Sequence, residues 1–182
     1  TSIVKKTILF VPIFLCFIFS CTNPEVQAEL DALKAQTELE QQNLELVERF
    51  IGTWNARDYE MNDEFLAPEF KIYLPSNTEE PMSMEAYEEW FGGLFQNFPD
   101  LQFNIIESFA SGYKVCIRWE LAATKTGADP DDPNPGNKLI MSAIEIYTVK
   151  DGKIVEERAE EDALGLQLQL GFTLVPPGAA GE

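Results

Sequence analysis

Apolar spacing divides the chain into a helical first half and a strand-rich second half. From Leu44 the apolar residues Val47, Phe50, Ile51 and Trp54 fall three and four apart, which predicts an amphipathic helix packed on a core. Asn55-Ala56-Arg57-Asp58 ends it, and residues 59–66 read as a second, short helix stopped before Pro68. Residues 70–74 read as a strand that Pro75 terminates. Ser83, with Glu85 and Ala86 in the following turn, caps a third helix that runs to about Asn97 and buries Tyr87, Trp90, Phe91 and Leu94. After the break at Phe98-Pro99-Asp100 the period changes to two. Residues 101–109, 114–123, 138–149 and 153–162 are rich in β-branched and aromatic side chains and read as strands. Ser111-Gly112 and Asp151-Gly152 supply hairpin turns, and the Pro, Asp and Gly of residues 127–137 make a loop. Helices followed by antiparallel strands predict an α+β domain with helices on one face of a curved sheet.

The N-terminal pattern is of another kind. Lys5 and Lys6 precede an apolar run over residues 8–19, followed by Ser20 and Cys21. That run is too short to span a bilayer and has the anatomy of a secretory signal. Ile18-Phe19-Ser20-Cys21 resembles a bacterial lipobox, which implies acylation of Cys21 and attachment to the cell envelope, at the outer or the cytoplasmic membrane. Val26, Leu30 and Leu33 begin a 4-3 seam, but Thr37 and Glu40 interrupt it, so residues 22–43 read as a helical spacer rather than a coiled coil. The expected organisation is a signal over 1–20, a lipidated N-terminus and spacer over 21–43, a domain over 44–176 and a disordered tail over 177–182.

Charge and residue usage narrow the chemistry. The formal net charge is −18, and loss of Lys5 and Lys6 with the signal would take it to −20. No basic stripe is available for phosphate, so nucleic acid is excluded as a partner. The chain has no His, which removes Ser-His-Asp and Cys-His devices and any His-based metal site. Asp129, Asp131 and Asp132 lack the spacing of a calcium loop, no Gly-rich phosphate loop is present, and neither a metal nor a cofactor is expected. With Cys16 in the signal and Cys21 acylated, Cys116 stands alone in a strand and reads as a buried apolar thiol.

The stretch 151–171 carries the strongest functional signal. After the Asp-Gly turn, strict alternation puts Ile154, Glu156, Arg158, Glu160 and Asp162 on one face. Such a charged row either faces water or lines a polar-ended cavity.

The order of motifs over about residues 44–176 resembles the SnoaL-like polyketide cyclase and ester cyclase family of the nuclear transport factor 2-like superfamily. They are the Trp54-Asn55-Ala56-Arg57-Asp58 helix end, Phe65-Leu66-Ala67-Pro68-Glu69-Phe70, Phe98-Pro99-Asp100-Leu101, Val115 to Trp119, and Gly136-Asn137-Lys138. Asp151-Gly152-Lys153-Ile154-Val155-Glu156 and Asp162 with Leu164-Gly165-Leu166 and Gln169-Leu170-Gly171 complete the set. The resemblance implies a cone-shaped, curved antiparallel sheet with the N-terminal helices on its concave face, and often a homodimer. It also implies an acid/base Asp on the last strand, a position matched by Asp162. Where the family often has His in the first strand this chain has Tyr73, and where it commonly has a His-Trp pair this chain has Glu157 and Arg158.

Aldol-type ring closure needs a proton taken from an activated carbon and one delivered to an oxygen, and a carboxylate with a raised pKa can serve. The expected catalytic set is therefore Asp162 as acid/base, Arg118 to orient a substrate oxygen or pair with Glu120, Glu145 or Glu160, and Tyr73 as hydrogen-bond donor. Trp54, Trp90 and Phe91, with Glu145 and Arg158, are the expected ligand-binding residues. The leading expectation is a membrane-anchored, cofactor-independent cyclase or isomerase acting on a small apolar, carbonyl-bearing ligand. The competing one is a non-catalytic envelope domain that binds a ligand or a protein.

Overall fold

The computed structural model describes residues 23–58, 61–75, 80–125, 136–176 and 178. The expected signal and lipidation site Cys21, the acidic loop around Asp129 and the final residues therefore lie outside the described residues. Among the described residues no helix is long and apolar enough to cross a membrane.

The expected spacer and first domain helix are one continuous helix, α1 (Pro24–Ala56). Asn23 caps it by accepting from the Glu25 N–H, Pro24 stands in the first turn, and Arg57 ends it in a left-handed conformation (φ 57°). Its first half touches little, and Val26, Leu30 and Leu33 are all exposed. Contact begins where Glu40 accepts from the Gly112 N–H (2.8 Å) and Asn43 donates to the Gly112 carbonyl (3.0 Å). From there Val47, Phe50, Ile51 and Trp54 are buried as the spacing requires.

α2 (Asn62–Phe65) is shorter than expected because the chain turns extended at Leu66. β1 (Leu66–Tyr73) runs through Pro68, which an edge strand tolerates because it leaves one ladder unused. α3 (Met84–Asn97), β2 (Gln102–Ser111), β3 (Lys114–Thr124), β4 (Lys138–Lys150) and β5 (Lys153–Glu161) match the predicted elements, and α4 (Ala163–Gln169) follows. The sheet order is β1-β5-β4-β3-β2, antiparallel except for the parallel β1–β5 pair. The fold is thus the expected α+β arrangement, a five-stranded curved sheet with helices on its inner face.

Two bulges matter. On β2 the pairing with β3 slips between Ile105 and Glu107. On β5, Thr148 of β4 faces Glu156 while Val149 faces Ile154, so Val155 is an extra residue. One inserted residue inverts the in/out phase of everything after it. Ile154 is buried, and the next buried positions are Glu157 and Ala159 rather than Glu156 and Arg158.

Candidate functional site

The phase change at Val155 separates Ile154 from the expected charged row and decides which way that row faces. Glu156, Arg158, Glu160 and Asp162 line the outer face, while Glu157, Ala159 and Glu161 turn into the cone. Asp162 is exposed and caps α4, its Oδ1 accepting from the Gly165 N–H at 2.9 Å. A Cβ at Gly165 would meet the Asp162 carboxylate at 2.1 Å and push this cap aside. Arg118 is exposed on the outer face and pairs with Glu107 at 3.5 Å, a partner outside the expected three. Tyr73 is half-buried beneath the Arg158 guanidinium, 4.1 Å from its ring centre, and Arg158 in turn pairs with Glu156 at 3.0 Å. The three residues expected to catalyse therefore all lie outside the cone, as does Arg158. Cys116 shares that face, half-buried, and burial pushes its thiol pKa up.

Inside the cone a different set converges. The inward row of β4 reads Leu139, Met141, Ala143, Glu145, Tyr147 and Val149, an apolar stripe interrupted by one acid. Across the ladder, Tyr147 faces Glu157, Glu145 faces Ala159, and Ala143 faces Glu161. The three carboxyls therefore step from the closed base toward the open end, and the small Ala159 leaves room opposite Glu145. Glu145 and Glu157 are each 2 % exposed. Trp54 of α1, Tyr87, Trp90 and Phe91 of α3, Phe103 of β2 and Trp119 of β3 wall the space, with Trp54 5.0 Å from Phe91 and 5.1 Å from Phe103 between ring centres. Of the expected ligand-binding residues, Trp54, Trp90, Phe91 and Glu145 do meet here.

Electrostatics follow from that wall. Burial pushes the Glu145 carboxyl up to about 7, partly offset by the Tyr147 hydroxyl, which donates to it, and by the nearby Trp119 indole. Burial raises Glu157 well above the usual carboxylate range, reinforced by Glu145 and Glu161. Glu161 is raised by burial alone. Glu157 Oε2 has no hydrogen-bond partner among the described residues. No group of three acidic or sulfur side chains among them could hold a metal ion.

Two adjoining spaces serve these groups. The narrow inner space is about 10 Å³ and reaches Glu145, Glu157 and Glu161. A larger pocket of about 230 Å³ lies between α3 and α4, lined by Leu94, Phe98, Ala123, Leu139, Leu166 and Gln167. Trp90, Leu121, Met141 and Glu161 border both. Trp90 is 39 % exposed and stands at the rim.

Several motif residues build this architecture rather than the chemistry. Asn55 brackets β2 by donating to the Phe103 carbonyl and accepting from the Phe103 N–H, both at 2.8 Å. Asp100 accepts from the Thr124 N–H at 2.9 Å and holds the Phe98-Pro99-Asp100 break to the end of β3. Gln169 bonds both backbone groups of Ile140, at 2.8 and 2.7 Å, and so seats α4 on β4. Sequence reasoning missed Glu157, Glu161 and Tyr147. The lone acid in the β4 stripe was a visible signal, whereas the β5 pair was hidden by the bulge.

Comparisons with known proteins agree with this architecture. AclR from Streptomyces galilaeus, described as a candidate hydroxylase, is 23% identical, with a TM-score of 0.64 over 76% of this chain and 91% of that one. IdmH from Streptomyces antibioticus, described as a candidate polyketide cyclase, is likewise 23% identical, with a TM-score of 0.64 over 72% of this chain and 99% of that one. At this identity the likeness shows a shared fold, and the two differ in described activity. No curated protein matches the sequence. The profile of the SnoaL-like polyketide cyclases matches residues 44–170, from the point where α1 begins to be buried through the whole of α4. The chain belongs to the SnoaL-like polyketide cyclase family.

Proposed function

We propose that the domain is a cofactor-independent cyclase or isomerase that moves a proton on a small, apolar, carbonyl-bearing ligand, with Glu161 as the acid/base. The observation that carries this reading is the position of Glu161, whose side chain borders both the narrow carboxyl-lined space and the 230 Å³ pocket. A ligand in that pocket meets a mainly apolar wall and one carboxyl whose pKa burial has raised, the direction a general base needs. Glu161 would take a proton from the carbon beside the carbonyl and return it to another atom of the same ligand, so no cofactor is consumed. Asp162, the family-matched position, would serve as the cap that seats α4 next to that pocket.

The test needs no knowledge of the natural substrate. Exchange of the activated C–H protons of β-keto esters and 1,3-diketones can be followed by NMR in D2O. Wild-type protein is expected to accelerate exchange on at least one probe, and Glu161→Gln to lose about 10²–10⁴-fold of it. No acceleration on any probe favours the second reading, a ligand-binding domain without catalysis, which the small inner cavity of about 10 Å³ also suits.

The reading extends to placement in the cell envelope. An acylated Cys21 would be followed by a helix whose residues 24–39 add about 24 Å before the domain begins. Cys21→Ser should move the protein from the membrane to the soluble fraction; unchanged partitioning would remove the anchor.

A further inference from the structure

We propose that the cone binds its ligand through a protonated primary amine, with Glu157 and Glu145 receiving the ammonium group and the apolar pocket beyond Glu161 holding the rest. This rests on the reading of the cone interior as a ligand site and adds a charge to the ligand's description. Three acidic side chains enter one narrow, largely buried space, and the described residues that line it include no Lys or Arg. Buried carboxyls are ordinarily paired with a cation, a metal or a full set of donors, because an uncompensated one is costly. Here Glu145 has the Tyr147 hydroxyl, and no three acidic groups among the described residues are placed for a metal. Glu157, almost fully buried, keeps one oxygen without a partner among the described residues and lines the same cavity. The missing partner is a donor, and the charge around it asks for a positive one.

Size and wall chemistry specify that donor further. About 10 Å³ admits roughly one water-sized group, and a primary ammonium is of that size. A bulkier quaternary head would not enter. The indole and phenyl rings of Trp54, Trp90, Phe91 and Trp119 surround the space, and aromatic faces attract cations. The adjoining pocket is walled mainly by Leu94, Phe98, Leu139 and Leu166, which suits an uncharged hydrocarbon or aryl body. An amine head inside and an apolar body outside would lay the intervening carbons past Glu161, the charged side chain among those common to both spaces.

Proton linkage gives the proposal a signature that shape alone cannot mimic. Burial holds Glu145 and Glu157 protonated at mildly acidic pH, and the groups facing them are Tyr147 of β4, Glu161 of β5, Tyr87 of α3 and Trp119 of β3. None of these supplies a positive charge. A bound ammonium favours the ionised carboxyl, so binding at pH 6 must expel a proton, and affinity must rise from pH 6 toward pH 8.

The experiment is calorimetric titration of the domain with 2-phenylethylamine and with 2-phenylethanol at pH 6 and pH 8, in buffers of different ionisation enthalpy. The amine is expected to bind on the order of tenfold or more tighter than the alcohol, with about one proton released at pH 6. Glu157→Gln should abolish that preference, and its melting curve reports whether the variant is folded. Equal binding of amine and alcohol, binding of neither, or amine binding without proton release overturns the proposal. The comparison of the two probes on wild-type protein stands even if the variant fails to fold. Amine binding without C–H exchange on any probe would keep this site and remove the acid/base reading. Exchange without amine preference would do the reverse.

Discussion

Tyr147 on β4 stands directly opposite Glu157 on β5 while its hydroxyl donates to Glu145, two residues earlier on its own strand. One tyrosine thus borders both of the deeply buried carboxyls and satisfies only one. This asymmetry distinguishes the two acids, because Glu145 has a donor that favours its charged form and Glu157 Oε2 has none among the described residues.

Stability should fall as pH rises through the range where these carboxyls ionise. Their folded pKa values lie above those of the unfolded chain, so the folded state holds protons that the unfolded state has already lost. The stabilisation is complete below the unfolded value near 4.5 and is lost upward, for Glu145 until about pH 7. Each such group gives a slope of about 1.4 kcal/mol per pH unit within its window. Glu157→Gln should therefore raise the melting temperature at pH 8 and change it little at pH 4.5. Parallel wild-type and variant curves between these pH values would show that Glu157 is not held protonated.

Tyr147→Phe removes the donor to Glu145 without opening much space. It should cost about 1–3 kcal/mol in denaturant unfolding, the cost of leaving a buried acceptor unmade. The Glu145 carboxyl should also titrate above its present value of about 7, because the bond that favours its ionised form is gone. NMR titration of the side-chain carboxyl carbons reads this directly, and an unchanged titration would contradict the assigned bond.

Asp162→Ala should cost about 1 kcal/mol, the usual value of a helix N-cap, and leave C–H exchange on neutral probes within about twofold of wild type. Gly165→Ala should lose a similar amount, since its Cβ would expel the same carboxylate. A large loss of exchange in Asp162→Ala with intact stability would return the catalytic role to that residue.

A chain beginning at Gln36 should melt within about a degree of the longer one, because residues 24–35 lie before the point where α1 meets the sheet and are almost all exposed among the described residues. Asn43→Ala, by contrast, removes the bond to the Gly112 carbonyl and should cost about 1–2 kcal/mol. Equal losses from the two changes would mean that the projecting helix packs on something in the intact protein.

The fold was legible in the sequence because its signals are periodic. The 3-4 spacing from Leu44 to Trp54, the Ser83 cap and the alternation along β3 and β4 each specify one element, and these elements occur where expected. The early start of β1 was not legible, since Pro68 reads as a helix stop and only its edge position makes it acceptable in a strand. Half of the site could be read. Trp54, Trp90, Phe91 and Glu145 lie on regular elements whose phase holds throughout, and they meet in the cone. The direction of the β5 charged row was left open, and its alternate residues Glu157 and Glu161 were passed over, because a bulge is set by pairing with another strand and leaves little mark in local composition.

The bulge at Val155 also governs how functional roles can be transferred between relatives. Two aligned sequences that differ by one residue between Ile154 and Glu156 would match letter for letter over the last strand and yet present opposite sets of side chains to the ligand. A motif comparison would then equate an interior acid in one protein with a solvent-facing acid in the other. For this strand, homology should be counted from the ladder partners on β4, with Tyr147 and Ala143 as the fixed marks, and only then from the sequence.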